Sequence, residues 1–197
     1  MNSVKKGTCT LVNTALEAGT KYYSHKAKKT LALPQLTVYV YGKAMEGMSP
    51  ESLATLQRAQ AVVASITNEG MAKEEKLRAC FEFVKTYKGG WPRTPHYTGM
   101  DWPVVYANDM FVNDGKGICF SYAAAFAYMA KAIGYEEVYA CNSGSHGWAE
   151  IDGLIYDPER NKFDPSFHYY GISYDEKTKV DYIGGIAAGL PWMRVKI

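Results

Sequence analysis

Apolar positions recur along this chain with two periods, helical in the first part and alternating further on. Within 36–41, Leu36, Val38 and Val40 alternate with Thr37, Tyr39 and Tyr41, the pattern of a half-buried strand. Ser49 then stands as an N-cap with Pro50 in the first helical position, and Leu53, Leu56, Val63 and Ile66 recur at near-helical spacing until Asn68 and Gly70. A second helix is predicted over 72–87, where Leu77, Cys80, Phe81 and Val84 form an i, i+3, i+4, i+7 stripe ahead of Gly89 and Gly90. Residues 91–106, with their prolines and tryptophans, read as a surface loop. Asn113, Asp114, Gly115 and Gly117 make a turn cluster, and 120–133 reads as an alanine-rich helix closed by Gly134. From Glu137 the period changes, and short strands are predicted over 138–142, 147–151 and 154–157.

Helices followed by an antiparallel run of strands make an α+β fold. A basic, helix-compatible leader over 1–33 is expected to precede or pack on a domain over 34–197, with the boundary before Pro34. The 197 residues suit a single core-bearing domain, and 47% apolar with 21% charged residues excludes disordered, collagenous and coiled-coil chains. Twenty-two basic against 20 acidic side chains leave a net charge of +2, too little to hold a phosphate backbone, so no nucleic acid partner is expected. The longest apolar run, 122–130, falls short of the roughly 20 residues needed to cross a bilayer. The first thirty residues lack an apolar signal core, so the protein is either intracellular or has an export signal outside this stretch.

Four cysteines, Cys9, Cys80, Cys119 and Cys141, show neither a CxxC pair nor the density of a disulfide scaffold. Cys80 belongs to an apolar stripe and reads as core. Cys119 is different because it opens a helix, where unsatisfied N–H groups favour thiolate over thiol and can also hold an oxyanion. Asp152 and Gly153 form a two-residue hairpin turn, which sets Ile151 against Leu154 and, counting outward, Trp148 against Asp157 and His146 against Glu159. His146, Trp148 and Asp157 then share a face, with His146 and Asp157 diagonal neighbours about 7–8 Å apart at Cα. A carboxylate at that offset can hold one imidazole nitrogen and leave the other for a thiol.

Asp164 in FDPSF is the competing acid, but the register carries it to the other face. Asn113 is a candidate second oxyanion donor and Trp148 a candidate substrate-binding side chain. His25, His96 and His168 have no partner pattern, and Gly115, Lys116 and Gly117 lack phosphate-loop spacing. A metal set of Cys119, Cys141, His146 and Asp157 lacks the short spacings of zinc motifs, so no metal and no cofactor are expected.

The segments GKGICFSYAAAFAYMAKAIGY and SHGWAEIDGLIYDPE resemble the core of the transglutaminase-like superfamily. There a cysteine opens a helix ending in Leu/Ile-Gly, and a His-x-Trp strand leads to an Asp-Pro strand. The likeness is clearest over 102–159. It implies a papain-like α+β core with the cysteine helix buried on an antiparallel sheet, Cys119 as nucleophile, His146 as general base and acid, and Asp157 as orienting carboxylate. It also implies a protein or peptide substrate and a bacterial, secreted or cell-surface module. The gap from His146 to Asp157 is short for the superfamily, and the calcium-binding and barrel domains of the animal enzymes do not fit this length. The expected activity is acyl transfer from an amide, a glutamine side chain or a peptide bond, through a thioester, as transglutaminase, deamidase or protease. The alternative is a catalytically silent binding module that attaches through an aromatic surface drawn from 16 Tyr and 4 Trp.

Overall fold

Ser49 caps the first of the described helices: its Oγ accepts a hydrogen bond from Ser52 N at 3.1 Å, and Pro50 begins α1 (Pro50–Ile66). The computed structural model describes residues 48–90, 97, 99–113, 115–175 and 193–197. The chain divides into compact units over 1–47 and 48–197, and all described residues lie in the second. The predicted leader over 1–33, the strand over 36–41 and Cys9 lie outside the described residues.

Helix α2 (Lys73–Lys85) buries Leu77, Cys80, Phe81 and Val84, the stripe that its spacing predicts. Glu75 accepts from Ala72 N at 2.7 Å and so holds its first turn. The loop expected over 91–106 is a loop only in part, because helix α3 (Trp102–Val112) begins inside it. Pro103 sits in its first turn, where a missing N–H costs nothing, and Trp102, Tyr106, Ala107 and Met110 are all buried. Helix α4 (Cys119–Ile133) starts one residue before the predicted position, and every residue from Phe120 to Ala132 is buried. Helices α1, α2 and α3 flank it, and strands of the sheet cover it elsewhere. Its alanines allow these elements to approach closely, and Gly134, at φ +103°, closes it with a Tyr135 N–H to Ala130 carbonyl bond of 3.2 Å.

Strands β1 (Val138–Asn142), β2 (Gly147–Ile151) and β3 (Leu154–Tyr156) follow, then helix α5 (Pro158–Phe163), β4 (Tyr170–Ile172) and β5 (Met193–Lys196). The sheet order is β4-β3-β2-β1-β5, antiparallel throughout. Asp152 (φ +50°) and Gly153 (φ +81°) are both left-handed, as a tight hairpin turn requires, and they pair Ile151 with Leu154, Glu150 with Ile155 and Ala149 with Tyr156. The third strand stops at Tyr156 instead of 157, because Asp157 is the N-cap of α5.

The row holding Ala149 and Tyr156 faces α4, with the Tyr156 and Phe126 rings 5.7 Å apart. The opposite face buries Cys141, Trp148, Ile155, Tyr169 and Ile172 in one cluster. Glu150, buried on that face, receives Arg194 Nη2 at 2.7 Å and Nε at 3.1 Å, and the Tyr174 hydroxyl at 2.7 Å. The Arg194 guanidinium also lies over the Tyr139 ring, 3.2 Å from its centroid. This two-toothed pairing ties β5 across β1 to β2.

Candidate functional site

Cys119 is the first helical residue of α4. The preceding Ile118 is extended and has no side-chain oxygen to cap the helix, and its carbonyl instead accepts from Ser121 N at 2.7 Å and Tyr122 N at 3.1 Å. Ser121 turns back instead, and its Oγ accepts from Ile118 N at 3.2 Å. A Cβ on Gly117 would come within 2.5 Å of that Oγ, so the residue two before the cysteine has to be glycine. The Cys119 sulfur is half-buried and lies 4.0 Å from the Ser145 carbonyl oxygen. Cys80 and Cys141 form no disulfide and are buried elsewhere, in the α2 stripe and on the far face of the sheet.

His146 comes from the connection between β1 and β2. Ser143 closes that connection: its N–H donates to the His146 carbonyl at 2.9 Å, and its hydroxyl accepts from His146 N at 3.2 Å. Gly147 then carries the chain against the start of α4. A Cβ there would lie 2.7 Å from Phe120 Cδ1 and 3.0 Å from Phe120 Cα, so only glycine lets the strand and the helix backbone meet this closely. That contact sets His146 beside Cys119. The same Phe120 ring packs edge-on against Trp102 (5.8 Å) and Tyr106 (5.4 Å) of α3.

The carboxylate that meets the imidazole belongs to Asp157, 1% exposed, with Oδ2 2.6 Å from His146 Nε2. Its other oxygen accepts from Arg160 N at 2.9 Å and caps α5, and its backbone N–H donates to the Tyr169 carbonyl at 2.9 Å. Asp164 is turned away to the far end of α5, where it accepts from Ser166. Lys162 fastens α5 to the helices by donating to the Tyr87 carbonyl and, at 3.1 Å, to the Tyr122 hydroxyl. Burial disfavours the charged imidazole, but the Asp157 charge and hydrogen bond, together with Cys119, outweigh it and lift the His146 pKa to about 10. With Nε2 on Asp157, Nδ1 is left for the thiol.

Glu159 is the group that the motif reading passed over, although the hairpin register sets it opposite His146. Its Oε2 lies 3.7 Å from His146 Nδ1. The Cys119 sulfur, a His146 ring nitrogen and a Glu159 carboxylate oxygen lie within 4.8 Å of one another. Burial raises the Glu159 pKa above the ordinary carboxylate value, with His146 opposing.

The remaining candidates have other partners. Asn113 is exposed at the C-terminal end of α3, and its side-chain amide lies 3.4 Å from Asp109 of the same helix. Trp148 is 1% exposed within the far-face cluster, with its indole N–H 3.3 Å from the Tyr174 hydroxyl, so its ring forms part of the core under the strand. The set of Cys119, Cys141, His146 and Asp157 is not assembled, since Cys141 lies across the sheet with its sulfur 3.9 Å from Glu150 Oε2. Among the described residues no helix is long and apolar enough to cross a membrane. Compared with family models, with curated proteins and with solved structures, the chain matches none.

Proposed function

We propose that this chain is a transglutaminase-like cysteine acyltransferase or hydrolase with a papain-like core, acting on amides of protein or peptide substrates. The observation that carries the reading is the 2.6 Å bond between His146 Nε2 and Asp157 Oδ2, with the helix-opening Cys119 sulfur within reach of the same ring. Cys119 Sγ attacks the carbonyl carbon of a glutamine side chain or a peptide bond, and the carbonyl π electrons move to oxygen. The Cys119 N–H, at the positive end of the α4 dipole, stabilises that oxyanion. His146 delivers its Nδ1 proton to the departing nitrogen, the C–N bond breaks and a thioester remains. Water or an amine then adds to the thioester, His146 takes up a proton, and the thiolate leaves. Asp157 keeps Nε2 protonated and the ring in one orientation throughout. An export address outside the cell rests on the family resemblance alone.

The test is to incubate intact protein with glutamine-containing peptides, with and without a labelled amine, and follow ammonia release, amine incorporation and the acyl-enzyme by mass. Cys119→Ala is expected to abolish turnover while leaving the fold intact. His146→Ala is expected to cost several orders of magnitude, since such residues act as a unit. Full activity in both variants would remove the catalytic reading and leave the same fold as a binding module.

A further inference from the structure

The mechanism above uses Cys119, His146 and Asp157 and leaves Glu159 without a task. We infer that Cys119, His146 and Glu159 form a zinc site that reversibly masks the nucleophile. The masking rests on the proposed catalytic role of Cys119, whereas the binding rests on geometry alone.

Zinc takes thiolate, imidazole and carboxylate ligands at about 2.0–2.3 Å, so neighbouring ligand atoms in a tetrahedral site lie roughly 3.3–3.8 Å apart. His146 Nδ1 and Glu159 Oε2 stand 3.7 Å apart, and all three donor groups lie within 4.8 Å of one another. Closing around an ion therefore takes a movement on the order of 1 Å by a half-buried cysteine and a half-buried glutamate.

The histidine's outer partner is also in place. A zinc-bound histidine ordinarily donates its other ring N–H to a carboxylate, which fixes the tautomer and raises ligand basicity. Asp157 occupies that position 2.6 Å from His146 Nε2, and it is itself held by the Arg160 N–H. One sulfur and one nitrogen in the set select zinc over calcium or magnesium, which require oxygen ligands. Three protein ligands leave a fourth tetrahedral position for water. On binding, the Zn–S and Zn–N bonds form as the thiol and Nδ1 release any protons they carry to solvent, and no electron is transferred. A sulfur so bound shares its charge with the metal and is a weaker nucleophile toward a substrate carbonyl.

The test uses the full reduced chain, stripped of metal, titrated with zinc against a chromophoric chelator. In parallel, alkylation of each cysteine is followed by peptide mapping with and without zinc. One equivalent of zinc is expected to bind and to suppress Cys119 alkylation stoichiometrically, and calcium is expected to do neither. Glu159→Gln should weaken zinc at least tenfold, Asp157→Asn by about 10–100-fold, and Cys119→Ala should abolish the protected site. Circular dichroism confirms that each variant is folded.

The proposal is overturned if zinc leaves Cys119 alkylation unchanged, or if folded Glu159→Gln binds zinc as tightly as the parent chain. Rapid alkylation of Cys119 without zinc protection removes the metal site and keeps the nucleophile. Zinc protection of a Cys119 that, metal-free, reacts no faster than buried Cys80 and Cys141 keeps the site and removes the nucleophile.

Discussion

Asp157 serves the imidazole with one oxygen and the α5 backbone with the other, and two substitutions separate these roles. Asparagine keeps an oxygen for the Arg160 N–H but offers His146 no charge, whereas alanine loses both. Asp157→Ala is therefore expected to be less stable than Asp157→Asn by about 1 kcal/mol, the usual worth of an N-cap, as read by urea denaturation at pH 7. The charge role has its own signature in pH. His146 is lifted from 6.5 to about 10, against its burial, by Asp157 and Cys119. A raised folded-state pKa stabilises fully below the unfolded value, and the gain is lost as pH rises through the folded one. The parent chain should thus lose melting temperature between pH 6.5 and about 10, with a flatter slope in Asp157→Asn. Equal slopes in the two proteins would show that Asp157 is not what holds the ring charged.

At the scale of elements, β2 and α4 meet at a glycine, and that junction sets the distance between Cys119 and His146. A methyl group at Gly147 would lie 3.0 Å from backbone and 2.7 Å from the Phe120 ring, so Gly147→Ala must push the strand off the helix. The expected cost is about 1–3 kcal/mol, together with slower Cys119 alkylation at pH 6, while a melting curve reports whether the fold survives. Parent-like alkylation in the folded variant would show that this contact does not set the pair. The pairing of β2 with β3 was legible in the sequence because Asp152 and Gly153 fix a register locally, and the α2 stripe because its period is clean. The single face expected for His146, Trp148 and Asp157 does not form, because the ladder ends at Tyr156, Asp157 turns into α5 and Trp148 packs in the far-face cluster. The close approach at Gly147 was not, since a strand glycine has several possible reasons. Helix α3 escaped because its less buried face also carries Val104, Val105, Phe111 and Val112, so its pattern has little polar contrast, and Pro103 looked like loop punctuation. Helix α5 has six residues and β4 three, too short for any period to emerge. Strand β5 pairs with β1 more than fifty positions away, which no local window records.

For the molecule as a whole, the sheet is joined on its far face by Glu150 and Arg194. Removing the arginine would leave a carboxylate only 5% exposed with the Tyr174 hydroxyl and the weak Cys141 thiol contact. Arg194→Ala is expected to cost about 3 kcal/mol, the low end for a broken buried pair, because the Arg194 side chain is 42% exposed. A change below about 0.5 kcal/mol, the scale of an ordinary surface substitution, would show that β5 is held by its backbone ladder alone.

The short Asp152–Gly153 turn bears on time as well as on geometry. Cys119, His146, Asp157 and Glu159 fall within one stretch of about forty residues, and the turn joining β2 to β3 closes a small loop of the kind that forms in roughly 1–10 μs. Contacts of short sequence separation are reached early, whereas the pairing of β5 with β1 must wait for a long loop to close. Gly153→Ala meets no neighbour but forces alanine to φ +81°, so it should slow refolding. Arg194→Ala should instead mainly quicken unfolding, as a contact made late does. Stopped-flow chevrons of the two variants would show whether the group of Cys119, His146, Asp157 and Glu159 is among the first parts of this protein to form on the way down and among the last to be lost.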